Sequence, residues 1–296
     1  MLLPKFQYHE PRTQCEACQI MAELKDRARP LAGGTDLLVN MKRGTLSPES
    51  VVSLSKIQEL AGIESSGTMI RIGACHTIAG LAASDALRKK FKALSAGAGS
   101  LGSPLIRNLA TAGGNLVSAR PAADLPPSLM AYGASVILRR DSGERMLPLY
   151  DFFLGPGQTV MEADEILSEI LVPDPPPGSG AAYIKLGNRK SLEISMVNVA
   201  SFISLDDRAE TIRNSRIVLG AVAPVPLRAV FAEQLLTGEK PGNLLFRRAA
   251  ETAASECKPI DDFRGSARYR RAMVEVLVER TLKTALKRAE NWPGEE

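Results

Sequence analysis

The segment Pro173-Asp-Pro-Pro-Pro-Gly-Ser-Gly180 puts four prolines and two glycines into eight residues. Proline fixes φ and lacks a backbone donor, so no helix runs through this stretch, and it reads as an extended connection. With 296 residues the chain has about twice the usual length of one domain. The segment therefore marks the division, with one domain expected over 1–175 and a smaller one over 180–290. The composition, 45% hydrophobic and 24% charged, is that of a soluble globular protein and excludes a disordered chain, a fibre or a coiled-coil rod. A core of this size needs neither disulfides nor a structural metal. The net charge of +4 is too slight for a nucleic-acid binder, and no Lys/Arg run forms a stripe. The opening residues show no charged region followed by an apolar one, so no signal peptide is expected. The most apolar stretches, 129–138 and 217–227, are too short to span a bilayer. A cytoplasmic protein with no membrane span and no nucleic-acid partner is the expectation.

Periodicity supplies the elements. Thr13-x-x-Glu16 reads as a capping box ahead of Ala17, Ile20, Met21 and Leu24 at helical spacing. A glycine turn over 31–36 leads into a short helix over 37–42 that Gly44 ends, and strands follow at 51–54 and 70–72. Leu87, Phe91 and Leu94 predict one helix over 84–96. Asp124 stands at a helix N-cap with Pro126 and Pro127 in the first turn, and Gly133 ends that helix. Strands at 135–139 and 146–149 flank a turn at 141–143. Beyond the linker, strands at 183–186, 197–205 and 212–219 predict a three-stranded antiparallel meander. Helices follow, the last over 266–287 with Met273, Leu277, Thr281 and Leu282 on one stripe. The class is α+β.

Several chemical signatures fail on their surroundings. Cys15-x-x-Cys18 lacks the second pair or nearby histidine that a zinc or iron-sulfur site requires, and Cys75 and Cys257 are isolated. Gly97-Ala-Gly-Ser-Leu-Gly102 matches the dinucleotide fingerprint, with Asp124 22 residues further on. That fingerprint needs a strand before it and a helix opening after it, whereas here a helix precedes and Ser103-Pro104 follows, so the glycines read as helix C-caps. His9 and His76 have no partner pattern, and neither a nucleophile elbow nor a P-loop is present.

Two glycine elements remain, Ala32-Gly33-Gly34-Thr35-Asp36 and Thr111-Ala112-Gly113-Gly114-Asn115. Paired glycines turn tightly and expose consecutive N–H groups, which bind anionic oxygens. Each element is also what a simple turn looks like; two of them could clamp a diphosphate from both sides.

These elements carry a family resemblance. Leu31-Ala-Gly-Gly-Thr-Asp-Leu-Leu38, Arg107-Asn-Leu-Ala-Thr-Ala-Gly-Gly-Asn115 and Pro121-Ala-Ala-Asp-Leu-Pro-Pro127 closely resemble the FAD-binding subunit of the molybdenum hydroxylases. That family includes the medium subunits of carbon monoxide, nicotinate and xanthine dehydrogenases. The resemblance continues through Gly73-Ala74, Asp151-Phe-Phe153, Asp164-Glu-Ile-Leu167, Lys185, Leu219-Gly-Ala-Val222 and Ser266-Ala-Arg-Tyr-Arg-Arg271, over nearly the whole chain and in order.

The resemblance implies a two-lobed FAD-binding domain of the vanillyl-alcohol-oxidase (PCMH) type, with lobes over about 1–55 and 56–175 and FAD between them. A smaller α+β domain like that of the carbon monoxide dehydrogenase flavoprotein follows it. By carry-over, Ala32, Gly33, Gly34, Thr35 and Asp36 hold the pyrophosphate together with Thr111, Ala112, Gly113, Gly114 and Asn115. Asp124 takes a polar part of the cofactor, while Leu101, Leu167 and Lys185 line the flavin. The two leucines are aligned by spacing alone, and core packing accounts for them equally well. A lysine at the flavin would stabilise the reduced, anionic ring; a solvated strand residue is the other reading of Lys185.

Departures are informative too. Thr35 stands where some relatives have histidine. No cysteine lies between Asp124 and Phe152, where benzoyl-CoA-type subunits insert a cluster loop, and neither glycine element offers a histidine or cysteine for a covalent flavin. The resemblance thus implies non-covalent FAD, no metal and no catalytic acid or base in this chain. The function it implies is that of an oxidoreductase subunit that relays electrons from [2Fe-2S] clusters through FAD to NAD or a quinone. Molybdopterin is expected on a large partner subunit and the clusters on a small one, assembled as a dimer of heterotrimers. A free-standing FAD oxidase of the same fold, or a non-catalytic nucleotide-binding interaction module, are the rival readings. The run 189–195 is similar to relatives acting on N-heteroaromatic substrates, but the substrate pocket is expected on another chain.

Overall fold

The computed structural model describes residues 2–189 and 191–292; Lys190, within the run 189–195, lies outside them. The chain forms two compact units assembled from interleaved segments. One comprises Met1–Leu81, Pro104–Ala119 and Ala134–Val172, the other Ala82–Ser103, Arg120–Gly133 and Pro173–Glu296.

In the first unit, the strands Gln7–His9 and Ala28–Leu31 flank Ser50–Ser53 in a parallel sheet. Every residue of the central strand is buried, as a parallel strand covered on both faces requires. Helix Gln14–Leu24 buries Ala17, Cys18 and Met21 in a core with Val52, Leu54, Ile57 and Leu60. Its cap differs from the expected box in one bond. Thr13 accepts from the Glu16 N–H, but Glu16 reaches back to the Arg12 N–H at 2.7 Å. A second sheet of the same unit has the strand order Ile63–Ser65, Met69–Gly73, Ile166–Pro173, Ser135–Arg140, Gly143–Pro148.

Next to that sheet, Glu165 is buried and binds Arg145 through both carboxylate oxygens at 2.7 and 2.8 Å, while the Glu162 N–H donates at 2.8 Å. Burial alone would raise its pKa. The Arg145 and Glu162 hydrogen bonds outweigh burial and hold Glu165 below the ordinary carboxylate value. A depressed folded-state value adds stability above the unfolded pKa, which is lost as pH falls through the folded one. In thermal melts, wild type should therefore exceed Glu165→Gln most clearly near neutrality. The gap should close as pH falls below the ordinary glutamate range and through the lower folded-state value, where the carboxylate takes up a proton.

The second unit is built on a sheet in which Ser179–Leu186, Val197–Leu205 and Ile212–Gly220 pair antiparallel in sequence order. A two-residue strand, Leu227–Arg228, adds a fourth to the expected three. All nine residues of Val197–Leu205 are buried, because helices cover both faces. Val197, Val199, Ile203 and Leu205 enter a core with Phe246, Val274, Leu277, Val278 and Leu282 from helices Asn243–Glu256 and Ala267–Glu290. On this face the Ser201 and Thr281 hydroxyls meet at 2.7 Å. On the opposite face Phe202 packs edge-on to Tyr132, which packs edge-on to Phe91. Helices Lys92–Ser100 and Leu125–Ala131 lie on that side.

The single helix expected over 84–96 is two, Asp85–Lys90 and Lys92–Ser100, broken at Phe91, whose ψ of 53° is not helical. Gly97 and Gly99 lie inside the second helix and are not caps; Gly102, at φ +50°, follows its C-cap residue Leu101. Gly97 is there for packing, since a Cβ on it would stand 3.0 Å from the Asp124 carbonyl oxygen and 3.2 Å from Ser128 Oγ. Among the described residues no helix is long and apolar enough to cross a membrane.

Candidate functional site

The first glycine element joins strand Ala28–Leu31 to helix Leu37–Lys42. Gly34 sits at φ +71°, a left-handed conformation that side chains rarely adopt, and its carbonyl accepts from the Leu38 N–H at 3.1 Å. Among the described residues none accepts a hydrogen bond from the backbone N–H groups of Gly33, Gly34 or Thr35. Ala32 to Thr35 are half-buried and Asp36 is exposed. Consecutive donors left unpaired in a half-buried turn are an anion-binding arrangement.

The second element is packed against the first. A Cβ at Gly33 would lie 1.9 Å from the carbonyl oxygen of Leu109, the last residue of helix Pro104–Leu109. Thr111 then caps helix Ala112–Val117 by accepting from the Gly114 N–H at 3.1 Å. The other N–H groups of this first turn are also taken. Ala112 donates to the His76 carbonyl at 2.9 Å, Gly113 to the Ala74 carbonyl at 2.8 Å, and Asn115 to the Thr111 carbonyl at 3.0 Å. The two elements thus play different parts: the first presents open donors, while the second fixes the backbone beside it. Gly113 serves close packing, with a Cβ there falling 2.7 Å from Ala74 Cβ. Thr111→Ala removes the cap acceptor and should lower stability by about 1 kcal/mol in chemical denaturation, with Thr111→Ser largely restoring it.

Asp124 occupies the N-cap position of helix Leu125–Ala131, but its side chain makes no cap bond. It points instead into a polar cluster within the second unit. Its Oδ1 accepts from Tyr183 Oη at 2.8 Å and Ser195 Oγ at 2.9 Å, and its Oδ2 accepts from Lys185 Nζ at 2.9 Å. Lys185 also donates to the Ser100 carbonyl at 3.1 Å, beside Leu101. Asn198 donates to Ser195 Oγ at 3.1 Å and to the Ala123 carbonyl at 3.2 Å.

Strand register brings these groups together. Tyr183 and Lys185 are two apart and share a face, Lys185 stands opposite Asn198, and Asn198 stands opposite Gly220. Gly220 leaves room for the amide: a Cβ there would fall 2.0 Å from Asn198 Oδ1. Burial, then the neighbouring Asp124 charge, push the Tyr183 hydroxyl well above its ordinary pKa, so at neutral pH it is a donor. Both Asp124 and Lys185 side chains are nearly inaccessible, at 8% and 11%. Sequence reasoning missed Tyr183, Ser195 and Asn198. For Tyr183 and Asn198 the available signal was a polar group set within an otherwise apolar strand; Ser195 lies in the loop before strand Val197–Leu205 and carried none.

Leu101 is buried in the second unit and Leu167 in the first, on strand Ile166–Pro173 where the register shifts between Leu167 and Glu169. Cys18 is a core residue whose thiol burial pushes up to about 11, and Cys15 is exposed. Among the described residues no group of three or more His, Cys, Asp or Glu is placed to hold a metal ion.

Comparison with known proteins decides the family. The family model described as the FAD binding domain in molybdopterin dehydrogenase matches residues 4–175. The chain belongs to this FAD-binding family. The model of the CO dehydrogenase flavoprotein C-terminal domain matches residues 181–285. The chain is 33% identical to the carbon monoxide dehydrogenase medium chain of Hydrogenophaga pseudoflava, over 96% of this chain and 98% of that one. It is 31% identical to the glyceraldehyde dehydrogenase medium chain of Sulfolobus acidocaldarius, over 96% and 99%. A solved carbon monoxide dehydrogenase from Hydrogenophaga pseudoflava superposes with a TM-score of 0.93 at 34% identity, covering 97% of this chain and 99% of that chain. This chain is therefore a medium, FAD-binding subunit of the molybdenum hydroxylase family, an oxidoreductase component. Its α+β architecture of an FAD-binding domain followed by a flavoprotein C-terminal domain is that of the family. The open donors at Gly33, Gly34 and Thr35 fit the phosphate part of such a cofactor.

Proposed function

We propose that this subunit carries non-covalently bound FAD as the electron relay of a cytoplasmic heterotrimer. FAD, when bound, supplies the redox link between [2Fe-2S] clusters of a small subunit and an acceptor such as NAD or a quinone. Substrate hydroxylation belongs to a large molybdopterin subunit, and two heterotrimers associate. The observation that carries the reading is the set of N–H groups in the first glycine element that find no acceptor among the described residues. Ala32, Gly33, Gly34, Thr35 and Asp36 take the pyrophosphate. Thr111, Ala112, Gly113, Gly114 and Asn115 support the backbone beside it.

Asp124 and Lys185 take a hydrogen-bonding part of the cofactor, and Leu101 and Leu167 line the flavin. Asp124 Oδ2 has accepting capacity beyond Lys185, and the ammonium has one N–H beyond its two bonds. The pair thus presents a near-neutral donor and acceptor in place of an isolated cation, which suits an imide edge or a hydroxyl. The domain division at 175–180 and the two N-terminal lobes belong to the same proposal. Relatives of similar identity are named for carbon monoxide and for glyceraldehyde, so this subunit does not specify the substrate.

Purification with and without the two partner subunits tests the relay. The chain alone should reduce an artificial dye with reduced nicotinamide but oxidise no organic substrate. Substrate oxidation by the isolated chain at the rate of the complex would replace the relay by a free-standing oxidase.

A further inference from the structure

We infer that Ser195 and Tyr183 are positioning residues for FAD, acting through Asp124. The inference rests on the placement of Asp124 and Lys185 at the cofactor. A carboxylate free to rotate about χ2 offers either oxygen to Lys185 and to a ligand. Here rotation is closed off. The Tyr183 and Ser195 hydroxyls both donate to Oδ1, at 2.8 and 2.9 Å, so Oδ2 alone remains for Lys185 and for an incoming donor. Hydroxyl donors to an ionised acceptor are among the stronger hydrogen bonds, and these lie in a nearly dry cluster.

Asn198 continues the chain outward. It is fully buried, donates to Ser195 Oγ, and so leaves the Ser195 proton directed at Asp124. Its other amide proton holds the Ala123 carbonyl, the residue before Asp124. Backbone and side chain of the carboxylate are thus fixed from one face of the sheet. Nothing in this arrangement is needed to fill the N-cap position of helix Leu125–Ala131, which no side chain caps. A serine, a tyrosine and an asparagine buried together around one carboxylate orient it at a cost in desolvation that apolar residues would avoid.

The test is FAD titration of the full-length apo chain, read by flavin fluorescence quenching and by the resolved visible bands of bound flavin. Ser195→Ala and Tyr183→Phe should each weaken FAD about tenfold, the loss of one hydrogen bond to a charged group. Each should also change the band structure of whatever flavin is bound. In an Asp124→Asn background the same substitutions should cost less than threefold, because they act through the carboxylate. Ser195→Thr, which keeps the hydroxyl, should bind like wild type. Far-UV circular dichroism checks folding; if Ser195→Ala does not fold, the isosteric Tyr183→Phe carries the test.

Equal losses in both backgrounds, or no loss in either, overturn the positioning role and leave the FAD assignment standing. Wild-type affinity in Asp124→Asn overturns the placement of Asp124 and this inference with it. Failure of wild type to bind FAD overturns both this inference and the functional reading beneath it.

Discussion

Lys185→Met should destabilise the full chain by about 3–5 kcal/mol in chemical denaturation, the range for stripping the partner from a buried ion pair. Asp124 and Lys185 lie 2.9 Å apart with side chains about nine-tenths inaccessible, so neither is screened as a surface pair would be. Methionine matches the lysine stem but leaves the carboxylate with hydroxyl donors alone. Asp124→Asn combined with Lys185→Met removes both charges, and the double variant should recover most of the loss. A single-variant effect below 1 kcal/mol, or simple additivity in the double variant, would show that the pair is not coupled as described.

Gly33→Ala should strip most of the flavin from the chain. The added Cβ would sit 1.9 Å from the Leu109 carbonyl oxygen and 2.7 Å from its carbon. Both neighbours are backbone, so the first glycine element must move away from Leu109, and its open N–H groups move with it. Overpacking of this kind costs about 1–3 kcal/mol, and FAD content should fall at least tenfold. Gly114→Ala is the control, because its Cβ meets only the Thr111 hydroxyl, at 2.8 Å. The cap weakens there while the first element stays in place. Flavin content measured on both purified variants ranks them; equal retention would mean that the contact with Leu109 does not govern the first element.

Legibility in the sequence followed the range of the interactions. Helix Leu37–Lys42 and the strand Val197–Leu205 were readable because glycine placement and apolar runs are local signals. The break at Phe91 was not, since apolar spacing continues across it while the backbone leaves the helix. The glycines at 97 and 99 read as caps, but Gly97 answers to the Asp124 carbonyl on another helix, a contact no local pattern shows. The strand Leu227–Arg228 is too short to carry any alternation.

The site divides the same way. Paired glycines announced two turns, yet the difference between them, open donors in one and engaged donors in the other, depends on carbonyls at Ala74 and His76. Asp124 was legible as a helix start. Its side-chain partners lie 59 to 71 residues away, brought in by strand Ser179–Leu186 and by the loop before strand Val197–Leu205, so its role in the cluster emerges only from the fold.

The most direct test of the FAD assignment is the flavin released when the purified full-length chain, loaded with FAD, is precipitated with acid. About one FAD per chain is expected in the supernatant, above a colourless pellet. Flavin that stays with the precipitated protein would contradict non-covalent binding, and a chain that takes up no flavin at all would contradict the cofactor site built on Gly33, Gly34 and Thr35.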